Sequence, residues 1–193
     1  MKEALGSRLD DNFRLWFIDH TQHVPPAGLA AEARTVSYQG VLEQALRDLS
    51  AWVEKDVRPP ANTRYTVVQS QVQVPARGAE RGGIQPVVEL KVNGGERADV
   101  AAGQAVTFTA KIETPPNTGE VVKAEWDFEG AGNYPVPAEL RKIEPTVTLT
   151  ATHSFSKPGT YFPVLRAASQ RNGDSQTPYA RVQNLARVRV VVR

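Results

Sequence analysis

The 193-residue chain contains no cysteine, a single methionine and three histidines, and only 7% of it is aromatic. A disulfide scaffold and any Cys-ligated metal site are therefore excluded. Long apolar runs are missing as well. The first twenty residues, MKEALGSRLDDNFRLWFIDH, carry charges throughout, so neither a membrane span nor a signal peptide is read. No Gly-x-Ser-x-Gly elbow, P-loop, dinucleotide fingerprint or His-Glu-x-x-His occurs, and Ser37, Ser154 and Ser156 lie in no such context. A complete catalytic apparatus inside the chain is not expected, and neither is an enzyme in isolation.

What is present suffices for a folded core, since 40% of the residues are apolar. The net charge of +2 is unevenly spread. Up to Asn62 there are 7 Lys and Arg against 9 Asp and Glu, and beyond it 16 against 12. The basic excess follows the strands without clustering, which argues against nucleic acid as a partner.

Two periodicities divide the chain. Between Tyr38 and Asp56, Leu42, Ala45, Leu46, Leu49, Trp52 and Val53 recur at helical spacing and form one apolar stripe. Ser37 is placed to cap this helix, and Arg58-Pro59-Pro60 stops it. Upstream, Phe13 to Ile18 (FRLWFI) has the length and composition of a strand. A lone strand and helix cannot bury Trp16, Phe17 and the stripe, so a further layer is required, from upstream residues, from the second region or from another copy of the chain.

From Thr63 onward the period is two. Val106, Phe108, Ala110 and Ile112 alternate with polar residues, as do Val122, Ala124, Trp126 and Phe128, then Val147, Leu149, Ala151, His153 and Phe155, and finally Val188, Val190 and Val192. Turn clusters such as Asn93-Gly94-Gly95 and Lys157-Pro158-Gly159 separate these runs, and no helix intervenes. The pattern predicts a mainly β chain: an immunoglobulin-like antiparallel β-sandwich with an N-terminal strand-loop-helix segment. Arg64 to Val74 reads as an extended strand, with the helix folding back on the sandwich as one possible use of it. Pro75 to Gly83 reads as a mobile linker.

Chemistry-bearing residues are few. Asp19-His20-Thr21-Gln22-His23 follows an apolar strand, where an open α/β sheet presents functional groups. One histidine there is a candidate general base; the residues alone favour two loop histidines satisfied by backbone or water. A metal at this place would need a third ligand, with Asp19 the only local candidate. Asp127, Glu129 and Asn133 offer hard oxygens for a calcium ion, against the plainer alternative of a solvated acidic turn with Asx-type hydrogen bonds. No other cofactor is expected. His153 falls on the inward phase as a core-edge histidine bonded across strands. Tyr134, Tyr161, Phe162 and Tyr179 would make a sugar-binding platform if they emerged on one face.

Phe13 to Trp52, with the FRLWFI strand, a loop bearing His23, a helix ending Leu49-Ser50-Ala51-Trp52-Val53-Glu54, and Arg58-Pro59-Pro60, resembles the C-terminal end of an α/β-hydrolase of the tannase and feruloyl-esterase type. That resemblance implies that His23 matches the catalytic histidine, here a remnant without its nucleophile or acid. In place of the family's glycine-rich approach to the histidine stands Asp19-His20-Thr21-Gln22. Glu125-Trp126-Asp127-Phe128-Glu129-Gly130, followed by His153-Ser154-Phe155-Ser156-Lys157-Pro158-Gly159-Thr160-Tyr161, resembles a polycystic-kidney-disease (PKD) domain. That family implies a non-catalytic module of secreted, periplasmic or cell-surface proteins that makes protein or carbohydrate contacts. Glu129-Gly130-Ala131-Gly132-Asn133 departs from the family's Gly-Asp-Gly turn, and Pro163 stands where an inward apolar residue is expected.

The expected organisation is thus residues 1–62 as a strand-loop-helix remnant of a hydrolase C-terminus, 63–85 as strand and linker, and 86–193 as a PKD-like sandwich. Its function is that of an accessory region of a hydrolase-like protein; the alternative is an esterase C-terminus supplying the triad histidine to a catalytic domain outside this chain. The expected partner is that upstream domain, or a second copy through the helix. Trp126 is the anchor of the sandwich core, and Trp126→Ala is expected to cost about 3 to 5 kcal/mol, read by a circular-dichroism melt. An unchanged melt would remove that anchor.

Overall fold

A computed structural model describes residues 2–193. Two short helices, α1 (Lys2–Leu5) and α2 (Leu9–Asn12), lead into the extended segment Phe13 to Ile18. A loop and α3 (Leu29–Glu32) follow, then the long helix α4 (Gln39–Lys55). Next come the hairpin β1 (Thr66–Val68) and β2 (Gln71–Gln73) and the single turn α5 (Gly78–Arg81). The sandwich strands are β3 (Val87–Val92), β4 (Arg97–Val100), β5 (Ala105–Glu113), β6 (Glu120–Asp127), β7 (Val136–Pro137) and β8 (Thr146–Ser154). They continue with β9 (Gly159–Tyr161), β10 (Val164–Gln170), β11 (Val182–Arg187) and β12 (Arg189–Val192).

A sheet of order β11-β10-β6-β7 and one of order β3-β5-β8 share a single core with a smaller sheet, β4-β12-β9. The period-two positions meet in that core. Phe108, Trp126 and Phe128 lie within 5.3 to 6.1 Å of one another, and His153 extends the column between Phe128 and Phe155. The His153 ring stacks on Phe128 at 4.5 Å and makes no hydrogen bond across strands among the described residues; its Nε2 lies 3.8 Å from Glu129. Pro163 is buried where the chain leaves β9 and enters β10, so that it switches sheets. Proline lacks the amide that a central ladder would need, and its carbonyl accepts Val188 N at 3.1 Å, where β11 gives way to β12.

The outer face of β10 and β11 is covered too, and by the N-terminal third of the chain. Val36 packs with Tyr134, Val164 and Leu185, and Val41 packs with Ile84, Val182, Trp16 and Ile18. The helix itself is turned against expectation. Its buried residues are Gly40, Val41, Gln44 and Asp48, whereas Leu42, Leu46, Leu49 and Val53 are 53%, 68%, 53% and 78% exposed. Polar groups hold the buried side: Arg171 makes a bidentate pair with Asp48 at 2.9 and 3.1 Å, Gln44 donates to Asp48 at 2.8 Å, and Ala180 N donates to Glu43 at 2.6 Å. A Cβ on Gly40 would overlap the Arg181 carbonyl, so glycine permits this close approach. The helix starts one residue later than the predicted cap: Tyr38, with no side-chain cap bond, is the N-cap residue, and Ser37 just before it accepts Gln39 N at 3.2 Å on its Oγ.

Three local expectations are corrected. Phe13 to Ile18 is not a strand of any sheet, because no neighbouring strand is there to pair with it. Arg64 to Val74 is not one edge strand but an exposed two-stranded hairpin turning through Gln69 and Ser70, both at positive φ, and it joins no other sheet. Pro75 to Gly83 is not an open linker: Arg81 is buried and donates from Nε to the Pro75 carbonyl at 2.8 Å, and the following Ile84 and Gln85 are fully buried.

Tyr134 ties this outer layer together. Its hydroxyl donates to the Glu32 carbonyl at 2.8 Å, and the Arg166 guanidinium lies 3.8 Å over its ring. Arg166 also reaches the carboxylates of Glu32 at 2.9 Å and Glu125 at 3.3 Å. Burial raises the Tyr134 phenol from an ordinary 10.0 to about 12, with Arg166 opposing. The folded state therefore keeps a proton that the unfolded chain releases between those values, so this contribution to stability is complete below pH 10 and is lost as pH rises to about 12. Denaturant titrations from pH about 9 to about 12 are expected to show a steeper loss of stability in the wild type than in Tyr134→Phe.

Candidate functional site

The two N-terminal histidines have different surroundings. His20 sits at φ +53°, a conformation glycine adopts freely, at the place where the hydrolase pattern carries its glycine-rich approach. Its Nδ1 lies 2.9 Å from Asn184 Oδ1. That amide is oriented by its own contacts: Asn184 Nδ2 donates to the Pro86 carbonyl at 2.7 Å and Oδ1 accepts Leu185 N at 2.8 Å. With the oxygen facing His20, Nδ1 carries the proton in the neutral ring and Nε2 holds the lone pair.

Asp19 is gripped from both sides by Gln85, whose Oε1 accepts Asp19 N at 2.7 Å and whose Nε2 donates to the Asp19 and Gln183 carbonyls, both at 2.9 Å. Arg81 Nη1 stands 3.7 Å from the Asp19 carboxylate; burial lowers the Arg81 pKa, and Asp19 opposes that shift. The same alternation continues upstream. Leu15 N donates to Asn62 Oδ1 at 2.6 Å and Phe17 N to Thr63 Oγ1 at 3.1 Å, while Thr63 N donates to the Leu15 carbonyl at 2.9 Å. Extended backbone from Leu15 to Asp19 is thus satisfied along one edge by side chains. The amides of Arg14, Trp16 and Ile18, on the other edge, have no partner among the described residues.

His23 is exposed and makes no hydrogen bond or ion pair among the described residues. It lies in the segment Gln22 to Ala27, which contains two adjacent prolines and is without hydrogen bonds of its own. Histidine and serine are not hydrogen-bonded to each other anywhere among the described residues.

The turn after β6 is closed internally. Asp127 is fully buried, its Oδ2 accepts Gly132 N at 2.5 Å, and its Oδ1 has no partner. Glu129 is turned to His153, and Asn133 is exposed. Among the described residues no three His, Cys, Asp or Glu side chains come close enough to share a metal ion. The aromatic candidates do not form a common platform: Tyr134 is buried, Tyr161 donates its hydroxyl to the Lys157 carbonyl at 2.9 Å, Phe162 lies under Arg187, and Tyr179 is exposed. An open groove of about 710 Å³ runs between β7 and β8 over Trp126 and Phe128, and none of the candidate histidines or acids lines it.

Sequence reasoning missed Asn184, Gln85 and Arg81. One signal was available for Asn184. It occupies an inward position between Val182 and Leu185, and a polar residue at a buried phase needs a specific partner.

Comparison with known proteins gives two family matches, which overlap over residues 89–111. A family model described as an alpha/beta hydrolase domain matches residues 6–111, and one described as a PKD domain matches residues 89–181. No curated protein matches the chain. Among solved structures, the GspB Siglec domain is 15% identical, with a TM-score of 0.39 over 56% of this chain and 57% of that one. The chain therefore spans little more than half of that relative's length. The CARDB domain of PF1109 from Pyrococcus furiosus is 12% identical (56% and 95% covered, TM-score 0.37). The PKD domain of the human VPS10 domain-containing receptor SorCS2 is 17% identical (65% and 82% covered, TM-score 0.31). The chain belongs to the alpha/beta hydrolase domain family, matched over more than half its length, and carries a PKD domain in its sandwich.

Proposed function

We propose that this chain is the accessory part of a hydrolase-like protein, with no turnover of its own, and that residues 13–55 complete a catalytic body that lies outside the chain. One observation carries this reading: the N-terminal unit leaves open the surfaces that a hydrolase sheet would cover. The extended backbone at Arg14, Trp16 and Ile18 has a free hydrogen-bonding edge, and four aliphatic side chains of α4 are more than half exposed. Each such side chain gains roughly 1.5 to 3 kcal/mol on full burial, so a face of this size is a docking surface for an apolar layer. On this reading His23, on its exposed loop, faces a nucleophile supplied by that body, and the sandwich makes contacts of its own with protein or carbohydrate. PKD domains typically serve outside the cell, which supports an exported parent. Among the described residues no helix is long and apolar enough to cross a membrane.

The purified chain and His23→Ala are both expected to be inert toward a small activated ester; turnover that depends on His23 would contradict the reading. In the same preparations Leu46→Glu is expected to leave stability within about 0.5 kcal/mol, as substitutions at exposed positions do. Light scattering is expected to give a monomer. A dimer that Leu46→Glu dissociates would assign the apolar stripe to a second copy of the chain.

A further inference from the structure

The loop that bears His23 is framed at both ends by the sandwich. At its N-terminal end Asn184 of β11 holds the His20 ring at 2.9 Å, and Gln85, just before β3, grips the backbone of Asp19. At its C-terminal end Tyr134 and Arg166 hold Glu32 through its carbonyl and its carboxylate. Gly132 lies so close to Leu29 that a Cβ would overlap the Leu29 carbonyl. The two ends are also tied to each other, because Val36 N donates to the His20 carbonyl at 2.7 Å and Thr21 Oγ1 to the Val36 carbonyl at 3.2 Å. Between these ties Gln22 to Ala27 has no hydrogen bond, and Pro25 and Pro26 restrict its φ angles.

We infer that the sandwich is a positioning frame for the His23 loop, with Asn184, acting through His20, and Tyr134, acting through Glu32, as positioning residues. A hinged appendage would touch the hydrolase-like unit only through a linker. Here four side chains and one close backbone approach, all from the region after residue 84, fix the loop ends instead. Only the purpose of the loop rests on the hydrolase reading; the framing rests on the contacts alone.

The test uses the intact chain and nuclear magnetic resonance. In Asn184→Ala the Val36 amide is expected to lose at least about tenfold in hydrogen-exchange protection. Backbone order parameters of Thr21 and Gln22 are expected to fall from about 0.85 to below about 0.6 while those of the sandwich strands stay unchanged. Asn184→Asp, which keeps an oxygen to accept the His20 proton, is expected to restore the protection. Tyr134→Phe is expected to loosen residues 29–34 and leave Thr21 ordered. If Asn184→Ala does not fold, His20→Gly serves in its place, since φ +53° suits glycine and only the ring is lost; the same loosening is expected. Unchanged exchange and order in a folded Asn184→Ala or His20→Gly protein would overturn the inference. Because the chain is tested without a nucleophile, that result would leave the accessory reading intact, and esterase activity would overturn the accessory reading without touching the frame.

Discussion

Extended backbone from Phe13 to Asp19 must place its amides somewhere, and how it does so organises the first third of the molecule. Alternate groups on one edge are taken by Asn62, Thr63 and Gln85, three side chains acting in place of a neighbouring strand. Each of these hydrogen bonds is worth about 0.5 to 1.5 kcal/mol, and together they favour one path of the chain from Phe13 to Asp19. Asp19 and His20 then fall beside Gln85 and Asn184, and the loop beyond them starts from a defined point.

The long helix obeys a second constraint. Its polar side meets the sandwich through the Asp48 and Arg171 pair, Glu43, and a glycine flush with the backbone of Arg181. Contacts of this kind are worth about 1 to 3 kcal/mol each, no more than the burial of a single leucine. A helix free to choose would turn its leucines inward. That it does not is explained if both sides are used: glycine and paired charges against the sandwich, aliphatic side chains toward another apolar layer. The sandwich is correspondingly covered on the outer face of β10 and β11, making three layers where a free-standing module would have two.

The sandwich was legible because its code is local. Alternation at Val106 to Ile112 and at Val122 to Phe128 reports one buried face per strand, and those faces are buried. The long helix was legible in extent, since the stripe and the prolines mark its length. Its orientation was not, because an amphipathic pattern shows that a face needs covering and is silent on what covers it. The half-paired segment was misread as a strand for a related reason: composition reports extended backbone, whereas membership of a sheet depends on a neighbour. Of the site, His23 was reached through its likeness to a hydrolase loop. Asn184, Gln85 and Arg81 lie between 58 and 161 residues from His23 in sequence, and only the folded chain brings them to the loop.

The N-terminal unit and the sandwich are therefore not two beads on a string: hydrogen bonds cross from one to the other at His20, Glu32, Glu43 and Asp48. The measurement that tests this account most directly is residue-by-residue hydrogen exchange of the intact chain across Arg14 to Asp19. The account predicts alternation, with Leu15, Phe17 and Asp19 protected and Arg14, Trp16 and Ile18 exchanging fast. Uniformly fast exchange would show a segment that Asn62, Thr63 and Gln85 do not hold, uniform protection would show a strand already paired on both edges, and either would contradict the account.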